Sequence, residues 1–212
     1  MALTLYLLRH GRTEGHEVRR YIGRTDVALD DIGRQQAVTW RERFGPGRFA
    51  RVLCSDLSRS METARIVTAG DPKPEAMPAL AEIDLGDWDG RAIADVRREF
   101  PDLFDARGRD MAGFRPPGGE SFEDVRERVA PVIEALIRDS DDGQGHDVLL
   151  AGHAGVNRVV LCHVLGLPLG RLFHLGQDHG CLNVIRWGAA GPVLRCLNLS
   201  PENTLPDPRR ND

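Results

Sequence analysis

The stretch Leu5-Tyr6-Leu7-Leu8-Arg9-His10-Gly11-Arg12-Thr13 ends an apolar run abruptly in a cation, an imidazole and a glycine. Residues 3–8 carry little that is polar, as a strand covered on both faces requires. An open α/β sheet collects its ligands beyond the carboxyl ends of its strands, where a glycine turns the chain and admits close backbone approach. The same residues would also suit a strand followed by a solvated turn. The rest of the chain separates the two readings.

A second apolar run, Asp147-Val148-Leu149-Leu150-Ala151-Gly152, stops in the same way at His153-Ala154-Gly155, and residues 51–54 form a shorter third. Helical patterns lie between them. Asp30 or Asp31 caps a helix over residues 32–44, which Gly45-Pro46-Gly47 stops. Ser55-Asp56-Leu57-Ser58 offers N-cap chemistry to a helix through Met61, Ala64, Ile66 and Val67. Residues 92–100 form another. Ser121-Phe122-Glu123-Asp124 is a capping-box variant, after which Phe122, Val125, Val129, Val132, Ile133, Leu136 and Ile137 share one helical face. A further helix with Val156, Val159, Val160 and Val164 follows His153, and residues 181–187 and 193–199 read as two strands around a Gly-rich turn. Strands alternating with helices predict an α/β fold of three α/β/α layers around a mostly parallel central sheet. One domain is expected over residues 1–199. Residues 101–119, rich in Pro, Gly and charge, are expected to form an irregular loop or lid insertion that can include a short helix, and residues 200–212 a loosely held polar tail.

With 41% hydrophobic and 28% charged residues the chain has an ordinary globular composition, and its net charge of -4 disfavours a nucleic-acid or anionic-membrane partner. No apolar run approaches the roughly 20 residues needed to span a bilayer. The N-terminus has no basic leader or small-residue cleavage site, so a cytoplasmic location is expected. The four cysteines are far apart, with no C-x-x-C pair, and read as small core residues in a reduced compartment. A homodimer is compatible with these features.

The chemistry sits at the strand ends. In a parallel sheet the carboxyl ends share an edge, so His10 and His153 can meet over one site. Arg59, in the first turn of the helix after residues 51–54, reaches the same edge. With Arg9 it can hold a phosphate by charge-assisted hydrogen bonds. The helix after His153 aims its first N–H groups at the same place, a natural anion site.

The motifs Leu8-Arg9-His10-Gly11-x-Thr13, Tyr21-x-Gly23, Leu29-Asp30-x-x-Gly33-x-x-Gln36-Ala37, Ser55-Asp56-Leu57-x-Arg59-x-x-x-Thr63-Ala64, Glu82-Ile83-x-x-Gly86-x-Trp88-x-Gly90, Gly118-Gly119-Glu120-Ser121 and Gly152-His153 occur in the order found in the histidine phosphatase superfamily, the phosphoglycerate-mutase-like proteins. The resemblance runs from about residue 3 to residue 187. It implies His10 as nucleophile, forming a phosphohistidine, and Glu82 as the acid that protonates the leaving alkoxide and then helps activate water. That first role needs a protonated carboxyl. His153, with Arg9 and Arg59, would clamp the phosphoryl oxygens. Thr13, His16 and Ala154 complete the expected phosphate-binding set. His16 departs from the family, which often has Asn there. Either the imidazole takes over as donor or the position is lost to the site. Gly15, where relatives often carry bulk, would open the pocket. No metal and no cofactor are implied, because arginines and a helix N-terminus supply the positive charge.

The superfamily holds mutases and phosphatases. Mutases of this kind usually carry a longer insertion between the Glu motif and the second His, and here the interval from Glu82 to His153 is short. That favours hydrolysis of a small phosphorylated substrate, by an enzyme similar to the α-ribazole-5′-phosphate phosphatase branch or to broad-specificity phosphomonoesterases. A cofactor-dependent phosphoglycerate mutase and a catalytically idle phospho-ligand binder are the alternatives. A third, weaker one is a metal-binding protein using several of the seven histidines. His146, His163 and His174 read as core or surface residues, and His179 as a residue of the pocket mouth. Arg107, Arg109 and Arg115 read either as a solvated cluster or as a substrate-facing lid, and Trp88 as packing.

Overall fold

A computed structural model describes residues 3–140 and 146–203. The apolar runs become β1 (Leu3–Arg9), β2 (Arg51–Cys54) and β4 (His146–Gly152), joined by a short β3 (Glu75–Ala76) and by β5 (Leu182–Gly188) and β6 (Gly191–Leu199). They form one sheet in the order β3-β2-β4-β1-β5-β6. Strands β1 to β4 run parallel, with Arg9 opposite Gly152 and Cys54 opposite Ala151. β5 pairs antiparallel with β1, and β6 returns antiparallel on β5. The sheet is therefore mostly parallel, with a hairpin on one flank.

β1 is apolar throughout because its alternate side chains enter different cores. Leu3, Leu5 and Leu7 pack with Val125, Val129 and Ile133 of α5 (Phe122–Asp139) and Val156, Val159 and Val160 of α6 (Ala154–Leu165). Tyr6 and Leu8 pack on the opposite face with Ala37 and Trp40 of α1 (Asp31–Phe44) and Ala64 and Val67 of α2 (Ser58–Thr68). The outcome is the three-layer α/β/α arrangement. Asp30 caps α1 through the Gly33 N–H, and Ser121 with Asp124 closes a full capping box on α5.

One local expectation is made definite and one is corrected. Part of the expected irregular segment 101–119 is a nine-residue helix, α4 (Pro101–Arg109), following α3 (Ile93–Glu99). Its proline stands in the first turn, where no N–H is needed, so it starts the helix instead of breaking the chain. Phe104 packs against the larger core and supplies burial that a charge-rich composition does not advertise. The expected N-cap at residues 55–58 is different. No side chain of α2's own N-cap residue, Leu57, serves. Instead Asp26 Oδ1 accepts from the Ser58 N–H at 2.9 Å and from the Ser58 hydroxyl at 2.7 Å. A cap borrowed from a distant loop leaves no local sequence signal. Most of the expected tail, residues 204–212, lies outside the described residues. No helix among the described residues is long and apolar enough to cross a membrane.

Candidate active site

The β1–β4 register sets the site. Arg9 and Gly152 are opposite one another, so His10 and His153 leave adjacent strand ends, and their rings lie 5.2 Å apart between centroids. Both are buried. His10 Nδ1 is 2.7 Å from the Gly11 carbonyl oxygen. A carbonyl only accepts, so Nδ1 carries the proton and Nε2 keeps its lone pair. Burial, then the neighbouring Arg9, His153 and Arg59, holds the His10 pKa well below the ordinary histidine value, leaving the ring neutral at pH 7. The turn that aims this ring depends on Gly11. A Cβ there would fall within the radius of the Gly33 carbonyl oxygen.

Two guanidiniums flank the histidines. Arg9 donates from Nη1 to the Gln177 carbonyl at 2.6 Å and from Nη2 to His179 Nε2 at 2.8 Å. Burial pushes its pKa down to about 10, which leaves it charged at neutral pH. Arg59 is 1% exposed and donates from Nη1 and Nη2 to the carbonyls of Thr25 and Gly23 at 2.8 and 2.7 Å. In both residues Nε is buried without a hydrogen-bond partner. Fixed forks with an unused donor are pre-organised for an anion.

His153 occupies the N-cap position of α6. Its Nε2 lies 2.6 Å from Ser55 Oγ, while Nδ1 is buried without a partner. Burial, then Arg59 and Arg9, holds its pKa well below the ordinary value. Glu82 closes the site from the loop before α3. Its Oε2 accepts from the Gly155 N–H at 2.9 Å, and its Oε1 from Ile83 at 2.9 Å and Val156 at 3.3 Å. Glu82 thus sits on the N-terminal turn of α6, whose first residue is Ala154.

Not every expected site residue joins this group. Thr13 is buried and bridges by its backbone to Leu29, but its hydroxyl bonds none of the described residues. His16 is exposed, with Nδ1 3.7 Å from Asp30 Oδ2. Asp30 is already committed to Arg12 at 2.6 Å and to the cap of α1.

His179 comes closer than its place at the pocket mouth suggests. Its ring is 5.6 Å from that of His10. Because a guanidinium cannot accept, His179 Nε2 must be the acceptor for Arg9, and the ring is neutral. Burial and Arg9 push its pKa down to about 3. The loop carrying His179 is held by a buried amide cluster. Gln177 Nε2 donates to Asn183 Oδ1 at 2.8 Å, and Asn183 and Asn157 both donate to Gln177 Oε1 at 3.0 and 3.2 Å. Sequence reading missed this cluster and the Ser55–His153 bond, since isolated amides and a serine have no periodic signal.

Comparison with known proteins agrees with this geometry. The profile of the histidine phosphatase superfamily (branch 1) matches residues 5–200. An adenosylcobalamin/alpha-ribazole phosphatase of Salmonella typhimurium is 32% identical over 197 residues, covering 92% of this chain and 96% of that protein. A glucosyl-3-phosphoglycerate phosphatase of Mycolicibacterium vanbaalenii is 34% identical over 170 residues, covering 78% and 75%. Among solved structures, an alpha-ribazole phosphatase from Shigella flexneri superposes with a TM-score of 0.85 at 28% identity, over 96% of this chain and 100% of that one. With a profile match from β1 to the end of β6 and a relative 32% identical over 96% of its own length, the chain belongs to the histidine phosphatase superfamily, branch 1.

Proposed function

We propose that this chain hydrolyses a small phosphomonoester through a phosphohistidine formed on His10. The observation that carries the reading is the His10 ring, neutral, with Nδ1–H tied to the Gly11 carbonyl and Nε2 free between two buried guanidiniums and His153. A nucleophile needs that lone pair, and a transferring phosphoryl group needs fixed positive charge around it.

In this reading His10 Nε2 attacks phosphorus and the ester P–O bond breaks. Arg9, Arg59 and the His153 Nδ1 side take the phosphoryl oxygens, together with the Ala154 N–H at the start of α6. Glu82 gives its proton to the leaving alkoxide. Its Oε2 accepts one N–H whereas Oε1 accepts two, so Oε2 retains room for that proton. Water then attacks the phosphohistidine, Glu82 takes the water's proton, and inorganic phosphate leaves with His10 neutral again. Thr13, buried, and His16, exposed, take no phosphoryl oxygen in this reading, and the sheet and its helices work as one domain. The relatives' names support a small phosphorylated metabolite as substrate, with α-ribazole phosphate and glucosyl-3-phosphoglycerate as the esters to try first.

The test is phosphate release without added metal from p-nitrophenyl phosphate, α-ribazole phosphate, glucosyl-3-phosphoglycerate and 3-phosphoglycerate, beside a mutase assay primed with 2,3-bisphosphoglycerate. Hydrolysis by the native chain with loss of at least about a thousandfold in His10→Ala is expected. Isomerisation without net release, or turnover that survives His10→Ala, would overturn the reading.

A further inference from the structure

His153 is held neutral, so a single proton has to be placed on one of its two ring nitrogens. That choice decides what the ring offers the site. An Nδ1–H donates to a phosphoryl oxygen, whereas an Nδ1 lone pair repels it. Which nitrogen carries the proton is set by the hydrogen bond that the other one makes. Here the other one is Nε2, and it faces Ser55 Oγ at 2.6 Å.

Both residues are fully buried, so each polar hydrogen and lone pair between them has to be met by the protein. Ser55 Oγ already accepts from the Leu57 N–H at 3.3 Å. Among the described residues the hydroxyl proton has no acceptor other than His153 Nε2. The hydroxyl therefore donates, Nε2 is the lone pair, and the ring proton sits on Nδ1. The reverse assignment would bury a hydroxyl proton with no acceptor and an Nδ1 lone pair with no donor. Nδ1 itself is buried without a partner, so its N–H is a donor left unspent in the field of Arg59 and Arg9. Ser55 is fixed as firmly as the ring it meets. Its backbone N–H donates to Ser60 Oγ at 3.0 Å, and the Ser60 hydroxyl donates to the Ala151 carbonyl at 2.7 Å, two residues before His153. Ala151 is also the residue opposite Cys54, so hydroxyl and imidazole are tied to neighbouring ends of β2 and β4.

We infer that Ser55 is a positioning residue for phosphoryl transfer: its hydroxyl donates to His153 Nε2 and so locks the ring with its proton on Nδ1, as a donor to the phosphoryl oxygens. The inference rests on the phosphomonoesterase reading for what the Nδ1–H meets, and it adds a residue that touches no substrate atom. His10 and His153 then use opposite nitrogens in the same tautomer. His10 shows its Nε2 lone pair to phosphorus, and His153 shows its Nδ1–H to oxygen.

The experiment reads the tautomer directly, by nitrogen NMR of the native chain labelled with 15N-histidine, the His153 signals being those missing from His153→Gln. Nδ1 should be protonated and Nε2 bare. A bare Nδ1 would overturn the inference without any variant of Ser55. Inorganic phosphate is then titrated into the native chain, Ser55→Ala and Ser55→Thr. Alanine leaves Nε2 without its donor, so the two tautomers mix and phosphate should bind about 10- to 100-fold more weakly, the loss expected for one hydrogen bond to a charged group. Threonine keeps the hydroxyl and adds a methyl to a fully buried position, so it should restore both the tautomer and most of the affinity. A packing role predicts the opposite order, with threonine no better than alanine, and that order, or native affinity in Ser55→Ala, would overturn the inference. None of these readouts needs turnover. If no ester is hydrolysed but phosphate binding still follows the Ser55 hydroxyl, the hydrolase reading fails and the positioning role stands. If hydrolysis proceeds with Nδ1 bare, the reverse holds.

Discussion

Single residues at this site are defined less by their type than by what occupies their other atoms. His10 offers Nε2 because Nδ1 is spent on a carbonyl, and His179 stays neutral because Arg9 can only donate. Glu82 is the residue whose proposed role is easiest to isolate. Glu82→Gln keeps the size, but it removes the transferable proton and turns one oxygen into an NH2 that faces a backbone N–H. The packing fault affects every substrate alike, whereas the missing proton matters only when the leaving group is a poor one. We expect a loss of about 10²- to 10⁴-fold on an alkyl phosphate and much less on p-nitrophenyl phosphate, read as a ratio of kcat/KM values. Equal losses on both would remove Glu82 as the general acid.

At the scale of elements, the site is made where strand ends meet helix starts. β1 delivers Arg9 and His10, β4 delivers His153, and α2 and α6 deliver Arg59 and the N-terminal N–H groups. The junction with least tolerance is the turn after β1. Gly11 lies against the backbone of Gly33 in α1, and Gly33 lies equally close against the backbone of Arg12. Two backbones without side chains fix the distance between β1 and α1. Gly11→Ala should therefore force them apart, lowering unfolding free energy by about 1–3 kcal/mol and displacing the His10 ring. Urea unfolding alongside kcat measures both effects, and a variant of native stability and activity would show the contact to be slack. α4 teaches a different lesson about elements: its composition reads as loop, yet one proline at its start and one packed phenylalanine suffice for a helix.

For the whole molecule, the site imposes a pH dependence on stability. His10, His153 and His179 all have folded pKa values below the ordinary one, mainly through burial. Below about pH 6.5 the unfolded chain binds protons that the folded chain refuses, so ν_U exceeds ν_N and stability falls as pH falls, by up to about 1.4 kcal/mol per pH unit for each such histidine. Above that pH all three are neutral in both states and contribute no slope. Urea midpoints between pH 7.5 and 5 should show the decline, and His179→Gln, which keeps an acceptor for Arg9, should make it shallower by about one proton. A flat profile over that range would mean the histidines are not held neutral by the fold.

The sequence by itself determined the layers, the strands β1, β2 and β4, most helices, and the residues gathered at the sheet edge. Those features are written in periodicity, in caps such as Asp30 and Ser121, and in motifs whose members lie a few positions apart. Tertiary structure alone decided which ring nitrogen of His10 is free, that Ser55 bonds His153 instead of capping α2, that His179 supports Arg9, and that Arg107 and Arg158 share Phe173. The physical reason is range. Hydrophobic period and capping act over one or two turns of chain. A hydrogen bond between residues 98 positions apart, or two cations over one ring from different helices, depends on packing that no local stretch encodes.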